Sequence, residues 1–470
     1  MKIKLHKDGI MDIIFVFTDI LCVVLATIMS HLIIGIATFV EIHIISLIIG
    51  IVVLVSMLYF YDFYSKVLRN KSEIFLSIVI SVIIPFFITL AFETFFTEGI
   101  TYCGLMILIL NAILLISLLY TEKLIFLKII KSMEGDSRLL IIESEKVEND
   151  LARKIKYSYL EIYDSWYMQI DPDDPEEVDK LIRTQFDKYA SIFISPVIPE
   201  NVKNKIISKA IAMNKEIYLL PNIYNISAVK TEIVQFEDTP ALRMRRFSLS
   251  RMQSFFKRVF DIIFAAIGII ITSPIMLIAA IAIRNDSPGG VIYTQERVTM
   301  HGKKFNLYKF RTMISNAEEK TGAVLAIEDD PRITKVGKVL RRFRIDELPQ
   351  FFNVLSGSMS VVGPRPERPV FVEKFREEID SYDNRFLVKA GITGLAQVFG
   401  RYDTSVKDKI LYDLLYIKKY SFYLDIKLIL LSIKIIFIKE SSKGISEKLD
   451  DTSLSKRYIQ VKEQTNEYYT

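Results

Sequence analysis

Cysteine is nearly absent from these 470 residues: Cys22 and Cys103 make up the whole complement, each inside an apolar stretch. Two isolated thiols offer no metal-ligand spacing and no disulfide framework, so a reduced, disulfide-free chain is expected. An excess of charge is also missing. The formal net charge is only +5, which gives no bulk electrostatic reason to bind nucleic acid. No cleavable signal pattern precedes the first apolar run, which is long enough to stay as an anchor. A glycine-rich turn is lacking where a dinucleotide site would need one. The first strand-like run of the middle region, Leu139–Ile142, leads into Glu143, Ser144, Glu145 and Lys146. Without glycines for close backbone approach, and with two acids to repel a diphosphate, the pattern speaks against a nucleotide-binding dehydrogenase.

Apolar residues, by contrast, are abundant. They make up 51% of the chain, and the mean hydropathy is +0.30. Four apolar runs follow one another, at about Ile10–Ile36, Ile42–Tyr61, Ile74–Phe92 and Tyr102–Tyr120. Each approaches the roughly 20 residues that cross the hydrocarbon layer as a helix. Lys2, Lys4 and Lys7 precede the first run, Lys66, Arg69 and Lys71 separate the second from the third, and Lys123, Lys128 and Lys131 lie at or beyond the end of the fourth. The other two loops carry Glu41, Glu93 and Glu98 and no Lys or Arg. The positive-inside rule then puts both ends of this block in the cytoplasm. Asp12 and Asp19 share one helical face and read as interfacial or bundle-facing carboxylates without chemistry; His31 and His43 also read as structural.

From about Met133 to Val229, short apolar runs (Leu139–Ile142, Tyr159–Tyr163, Ala190–Ile194 and Glu216–Leu220) alternate with helix-like segments. That alternation predicts a small α/β domain with a parallel sheet, serving as a spacer, regulatory or oligomerisation unit. The acidic stretch Asp171–Glu177 reads as a solvated loop leading into a helix. A polar linker from about Phe236 to Ser254 follows. The next apolar run, Val259–Ile283, is long enough to span, but Lys257 and Arg258 flank one end and Arg284 the other. Ser273-Pro274 falls near its middle, where proline removes a helical hydrogen bond. A re-entrant helix that enters, breaks at Ser273-Pro274 and returns satisfies the charge rule at both ends.

Beyond Tyr293 the chain turns basic, a pattern suited both to anionic headgroups and to phosphate oxygens. In Arg341-Arg342-Phe343-Arg344-Ile345-Asp346-Glu347-Leu348-Pro349-Gln350, the one-face spacing of Leu348, Phe351, Phe352 and Leu355 predicts a helix with Pro349 in its first turn. Asp346 is then expected at or near the N-cap. An adjacent Glu can help hold Mg²⁺, and upstream arginines can neutralise a phosphate under attack.

These residues carry a resemblance. The stretch from about Phe256 to Ile438 resembles the bacterial sugar transferase family, the monotopic phosphoglycosyl transferases. The matching segments run from Lys257-Arg258-Val259-Phe260-Asp261 through Gln295-Glu296-Arg297-Val298 to Leu307-Tyr308-Lys309-Phe310-Arg311-Thr312-Met313. They continue with Asp330-Pro331-Arg332-Ile333-Thr334, Asp346-Glu347-Leu348-Pro349-Gln350, Gly363-Pro364-Arg365-Pro366 and Gly391-Ile392-Thr393-Gly394-Leu395-Ala396-Gln397-Val398. The four helices and the α/β domain look like the long-chain members that prime capsule, exopolysaccharide or O-antigen synthesis.

The resemblance implies that Asp346 is a nucleophile on the sugar-proximal phosphorus of a UDP-sugar. UMP leaves, and undecaprenyl phosphate then takes the phosphosugar from Asp346. Glu347 is implied to bind Mg²⁺, and Arg341 and Arg365 to grip phosphates. Lys309, Arg311, Arg332, Glu367 and Gln397 complete the expected substrate- and phosphate-binding set, and Ser273-Pro274 corresponds to the hairpin break. Arg344 departs from the small polar residue common in the family. A hexose is expected, glucose ahead of galactose.

The expected fold is therefore a membrane α-helical bundle of four transmembrane helices (1–132), a Rossmann-like α/β domain without a glycine fingerprint (133–235) and a linker (236–254). A mostly α-helical catalytic domain (255–438) with its re-entrant helix (256–284) and a disordered tail (439–470) complete it. It is expected as a multi-pass protein of a bacterial cytoplasmic membrane, with the catalytic domain on the cytoplasmic face. UDP-sugar, undecaprenyl phosphate and membrane lipids are the expected partners, with a homodimer as a further expectation. A non-catalytic scaffold of polysaccharide assembly is the rival reading, and the intact Asp346-Glu347 pair argues against it. A polytopic sugar-phosphate transferase would need more spans.

Overall fold

A computed structural model describes residues 7–34, 41–63, 71–96, 101–134, 138–144, 164–244, 246–314, 332–400 and 404–437. The side chains of Asp12 and His43, the Asp330-Pro331 dipeptide and the tail from 438 onward lie outside the described residues. The chain divides into two compact units, the first running to Leu220 and the second beginning at Pro221.

The first unit opens with four helices: α1 (Lys7–Ile34), α2 (Glu41–Phe60), α3 (Lys71–Phe96) and α4 (Tyr102–Glu134). Segments of α1, α3 and α4 are long and apolar enough to cross a membrane; the apolar part of α2, Ile44–Phe60, is shorter. At 1.5 Å per residue the whole of α2 still reaches about 30 Å, the thickness of the hydrocarbon layer. The helices bury Val23, Ala26, Leu54, Leu58, Ile78 and Leu119 against one another, while Ile13, Phe17, Leu32 and Phe87 stay exposed on the outside. That inside-out distribution is what lipid as solvent permits. Asp19, fully buried, meets Lys123 of α4 at 2.7 Å, and Thr18 donates to Glu122 at 2.8 Å. Asp19 thus joins α1 to α4.

The rest of this unit is a four-stranded sheet in the order β2-β1-β3-β4, parallel throughout. The strands are β1 (Arg138–Ser144), β2 (Asp164–Ile170), β3 (Ser191–Ile194) and β4 (Glu216–Leu219), with α5 (Pro175–Gln185) and α6 (Glu200–Ala212) between them. Leu140, Ile142, Ile192 and Ile194 form its core with Val178, Leu181 and Ile206 from the helices. Three of the four expected runs become strands. The described second strand is Asp164–Ile170; Tyr159–Tyr163 lies outside the described residues. The acidic stretch before α5 leads into a helix as expected, because Asp174 accepts from the Glu176 and Glu177 amides and caps it.

The second unit begins with α7 (Ile223–Ala228) and the antiparallel hairpin β5 (Glu232–Phe236)–β6 (Thr239–Arg243). The stretch read as a linker therefore holds β6 and the first turn of α8 (Arg251–Asp286), which Ser250 and Gln253 close with a capping box. Helix α8 is 36 residues long and apolar enough to cross a membrane. Its assignment stays helical through Pro274, so the expected break is not a break in secondary structure. Pro274 cannot donate to the carbonyl of Ile270, and the Ser273 hydroxyl donates to it instead at 2.9 Å. The Thr272 hydroxyl adds a bond of its own to the Gly268 carbonyl at 2.7 Å.

Both arms of α8 are bound to this unit. In the first, Lys257 pairs with buried Asp425 at 2.7 Å, and Asp261 accepts from the Ser360 hydroxyl and the Val361 amide at 3.0 Å each. Arg258 donates to the carbonyls of Val354 and Leu355 at 2.6 and 2.8 Å. In the second arm Ala279 and Ile283 pack with Phe310 and Leu340. Between the arms Ile270, Ile271, Leu277 and Ile278 are 64–72% exposed.

The remaining elements wrap this helix. They are the hairpin β7 (Ile292–Val298)–β8 (Lys304–Phe310), α9 (Lys335–Arg342), α10 (Gln350–Ser356), β9 (Ser360–Val362) and α11 (Pro369–Glu378). After them come β10 (Gly391–Thr393), parallel to β9, then α12 (Leu395–Phe399), α13 (Val406–Lys419) and α14 (Phe422–Phe437). Val354, Met359, Val362, Tyr382, Tyr416 and Leu428 sit at the centre of the core. Helix α14 adds Leu428 to this core, and its Leu430 and Leu431 are buried as well.

Candidate active site

The site is built on α9 and the turn that ends it. Thr334 caps α9 by accepting from the Gly337 amide at 3.0 Å. Gly337 is required by closeness: a Cβ there would fall 2.1 Å from the Thr312 carbonyl oxygen. This contact lets the Thr334 amide reach that carbonyl at 3.0 Å and the Arg341 Nε reach the Thr312 hydroxyl at 2.8 Å. The helix ends at Arg342, and just beyond it the left-handed backbone of Arg344 (φ 54°, ψ 23°) turns the chain sharply. A single 3₁₀ turn, Ile345–Glu347, follows and sets two carboxylates side by side, both buried.

Asp346 therefore does not cap a helix. Helix α10 starts only at Gln350, Pro349 stands at its N-cap, and no side chain bonds there. The Asp346 carboxylate is left facing the site instead of the backbone. Asn353 latches the turn from below. Its Oδ1 accepts from the Tyr308 amide at 2.9 Å and its Nδ2 donates to the Asn306 carbonyl at 2.8 Å, tying α10 to β8.

That latch keeps Lys309 of β8 on Glu347, with Nζ to Oε1 at 3.2 Å. Arg365 Nη2 donates to the same oxygen at 3.1 Å, and Arg344 approaches Oε2 at 3.6 Å. Arg365 rides on a clamped loop: the Gly363 amide donates to Thr393 O at 2.8 Å and the Gly391 amide to Pro364 O at 2.9 Å. The two backbones lie so close that a Cβ on Gly391 would fall 2.1 Å from the Gly363 nitrogen. Behind the loop, buried Arg385 donates to Arg365 O at 3.0 Å and pairs with Asp413 at 2.8 Å.

Electrostatics separate the two carboxylates. Burial, and then the charge of Glu347, push the Asp346 carboxyl up to about 6, against the pull of Lys309, Arg341 and Arg365. Burial alone would also raise Glu347, but Lys309, Arg365 and Arg344 outweigh it and hold that carboxyl well below the usual range. Four cations surround two acids, leaving a positive excess that suits a diphosphate.

The structure thus gathers Asp346, Glu347, Lys309, Arg341 and Arg365, and adds Arg344. Other expected residues have different surroundings. Arg311 donates to the carbonyls of Ser287 and Pro288 at 2.7 and 2.5 Å, beyond the end of α8. Glu367 meets Arg297 at 3.5 Å. Gln397 donates to Ile392 O at 2.9 Å, and its buried Oε1 has no partner among the described residues. The Arg332 carbonyl accepts from the Ile314 amide at 3.0 Å. Ser273 and Pro274 lie mid-way along α8.

Sequence reasoning gave no role to Asn353, Arg385 or Arg297. Arg297 donates to Gln295 Oε1 and Pro366 O at 2.6 and 3.1 Å, and burial lowers its pKa to about 10. The available signal was its place in a matching segment beside Gln295.

Residues 252–439 match the sequence profile described as bacterial sugar transferase. A Bacillus subtilis protein, named as an undecaprenyl-phosphate N-acetylgalactosaminyl 1-phosphate transferase, is 51% identical over 152 residues, which cover 30% of this chain and 84% of that protein. The chain belongs to the bacterial sugar transferase family. Two larger relatives agree. The UDP-N-acetylgalactosamine-undecaprenyl-phosphate N-acetylgalactosaminephosphotransferase of Aeromonas hydrophila is 43% identical over 218 residues, 46% of this chain and 51% of that protein. The UDP-glucose:undecaprenyl-phosphate glucose-1-phosphate transferase of Klebsiella pneumoniae is 41% identical over 228 residues, 47% and 49% respectively. The match therefore spans about half the length of these larger relatives. Every residue of the carboxylate site falls inside the sugar transferase match, as do both arms of α8 from residue 252 onward.

Proposed function

We propose that this sugar transferase moves a sugar-1-phosphate from a UDP-sugar to undecaprenyl phosphate, giving undecaprenyl-diphospho-sugar and UMP. The observation that carries the proposal is the buried Asp346-Glu347 pair inside its ring of Lys309, Arg341, Arg344 and Arg365. A carboxylate oxygen of Asp346 forms a bond to the sugar-proximal phosphorus, and the bridging P–O bond breaks to release UMP. An oxygen of undecaprenyl phosphate then bonds to the same phosphorus, and the Asp346 carboxylate leaves. Two easier displacements replace one difficult transfer. Arg341 and Arg365 neutralise the phosphoryl oxygens as charge builds on them.

Among the described residues no three His, Cys, Asp or Glu side chains gather as a metal cluster. Mg²⁺ needs only one or two carboxylates when phosphates supply further oxygens, so the adjacent pair fits it. Glu347, kept ionised by its cations, is the residue that would hold the ion. When bound, Mg²⁺ supplies charge neutralisation to the diphosphate.

The membrane arrangement belongs to the same proposal. The exposed apolar middle of α8 between two bound arms supports a re-entrant helix with both ends at the cytoplasmic face. The product would start a capsule, exopolysaccharide or O-antigen chain. Curated relatives carry names for N-acetylgalactosamine, glucose and galactose transfer; glucose is the donor we favour. A homodimer is expected, and mass measurement in nanodiscs tests it.

The test of function is UMP release by the purified chain with Mg²⁺ and undecaprenyl phosphate across a panel of UDP-sugars, beside Asp346→Asn. Release with one donor, lost in the variant, is expected. Folded protein that releases no UMP from any donor would overturn the proposal in favour of a scaffold.

A further inference from the structure

Arg365 does not hold its position by packing alone, because its side chain is 42% exposed. A long, half-exposed side chain left to itself samples many rotamers, so the backbone beneath it has to be fixed. The clamp at Gly363 and Pro364 lies on one side of Arg365. On the other side stands Pro366, which has no N–H and cannot pair with a neighbouring strand through that atom. Side chains take the carbonyls here instead. Arg385 Nη2 donates to Arg365 O at 3.0 Å, and Arg297 Nη1 donates to Pro366 O at 3.1 Å.

Arg297 is itself held in one pose. Its Nε and Nη2 both donate to Gln295 Oε1, at 3.1 and 2.6 Å. Gln295 Nε2 in turn donates to the Tyr293 hydroxyl at 3.2 Å. Alternate residues of a strand share a face, so Tyr293, Gln295 and Arg297 form one row along β7. Tyr293 stands opposite Lys309 of β8, and directly opposed residues of an antiparallel pair lie on the same face. Lys309 therefore belongs to the face that carries this row, and it reaches Glu347 Oε1 at 3.2 Å. Arg365 reaches the same oxygen at 3.1 Å. Past Arg297, the Val298 amide donates to Glu367 O at 3.0 Å. Segment 365–367 thus shares Glu347 with Lys309 and is bonded to the hairpin again at Arg297 and Val298.

We propose that Arg297 is a positioning residue for the transfer reaction: it ties segment 365–367 to the β7–β8 hairpin, so that Arg365 and Lys309 meet Glu347 as a preset pair. Arg297 acts through Arg365 and not on the substrate. A guanidinium is needed because its planar fork grips Gln295 with two nitrogens and turns the third to Pro366. The inference rests on the transfer reading above, which gives Arg365 the phosphoryl oxygens.

The test is a double-mutant cycle on the full chain in nanodiscs, read by UMP release and by calorimetric binding of UDP. Arg297→Ala should lower kcat/KM about thirtyfold, since a misplaced group can cost up to roughly a hundredfold. In an Arg365→Ala background the same change should cost less than about threefold, because the two residues act as one unit. Arg297→Lys keeps the charge beside Glu367 but not the fork, and should recover only part of the loss. Should Arg297→Ala not fold, Arg297→Lys takes its place in the cycle. A loss that recurs in full without Arg365, full activity in Arg297→Ala, or full rescue by lysine would overturn the proposal. Parent protein that binds UDP, shows the same non-additivity in binding and releases no UMP would overturn the transfer reading and leave the positioning role standing.

Discussion

Two of the buried carboxylate sites in the described residues are of opposite design. In the bundle, Asp19 has Lys123 at 2.7 Å, with Phe15 and Phe63 lying 5.6 and 5.9 Å from the ammonium. That acid has a direct counter-charge, and such a site has nothing left to offer an anion. In the second unit, Asp346 has no direct salt-bridge partner among the described residues, because the cations there converge on Glu347. One acid of the pair is fixed as a charge, and its neighbour is left partly uncompensated in a positive field. Burial alone does not distinguish the two sites; the way the counter-charges are shared does.

The largest break in this comparison should come from Asp346→Asn. UMP release should fall by at least about a thousandfold, as removal of a covalent nucleophile does. The folded carboxyl titrates near 6, above its unfolded value, so its contribution to stability is full at low pH and lost as pH rises through 6. The variant should therefore match or exceed the parent by on the order of 2 kcal/mol at pH 8, read as a higher Tm. A variant that loses both activity and stability would point to misfolding.

Arg365→Ala should come next, lowering kcat/KM about a hundredfold, in line with the loss of one charge-assisted contact to a developing anion. The pH profile sharpens the same point. Only the ionised carboxylate attacks, so kcat/KM should climb roughly tenfold per pH unit up to about 6 and then level. A flat profile between pH 5 and 7 would remove Asp346 from the role. The smallest effect on catalysis belongs to the other site. Asp19→Asn strips Lys123 of its closest counter-charge and should cost about 3 kcal/mol of stability, while transfer per folded molecule is unchanged.

Much of this was legible in the sequence because it depends on local pattern. Long apolar runs gave the bundle helices, and short ones gave β1, β3 and β4. Aspartate beside glutamate after a basic helix marked the site. What stayed hidden depends on distance in the chain. Asp346 looked like a cap because a helix follows it. Only the left-handed backbone at Arg344 and the late start of α10 release its carboxylate. Arg311 looked like a phosphate ligand, yet its guanidinium meets carbonyls more than twenty residues upstream. Asn353 and Arg385 are single polar residues whose partners lie on other elements, and no spacing announces them.

The Ser273 hydroxyl gives α8 one more property. A proline in a lipid-facing helix ordinarily leaves a bare carbonyl, and each such group costs several kcal/mol in hydrocarbon. Here the residue before the proline covers that carbonyl itself. The segment can then partition into a bilayer almost as an uninterrupted apolar stretch. In the re-entrant arrangement proposed above, the same two residues that make insertion cheap also mark the place of return.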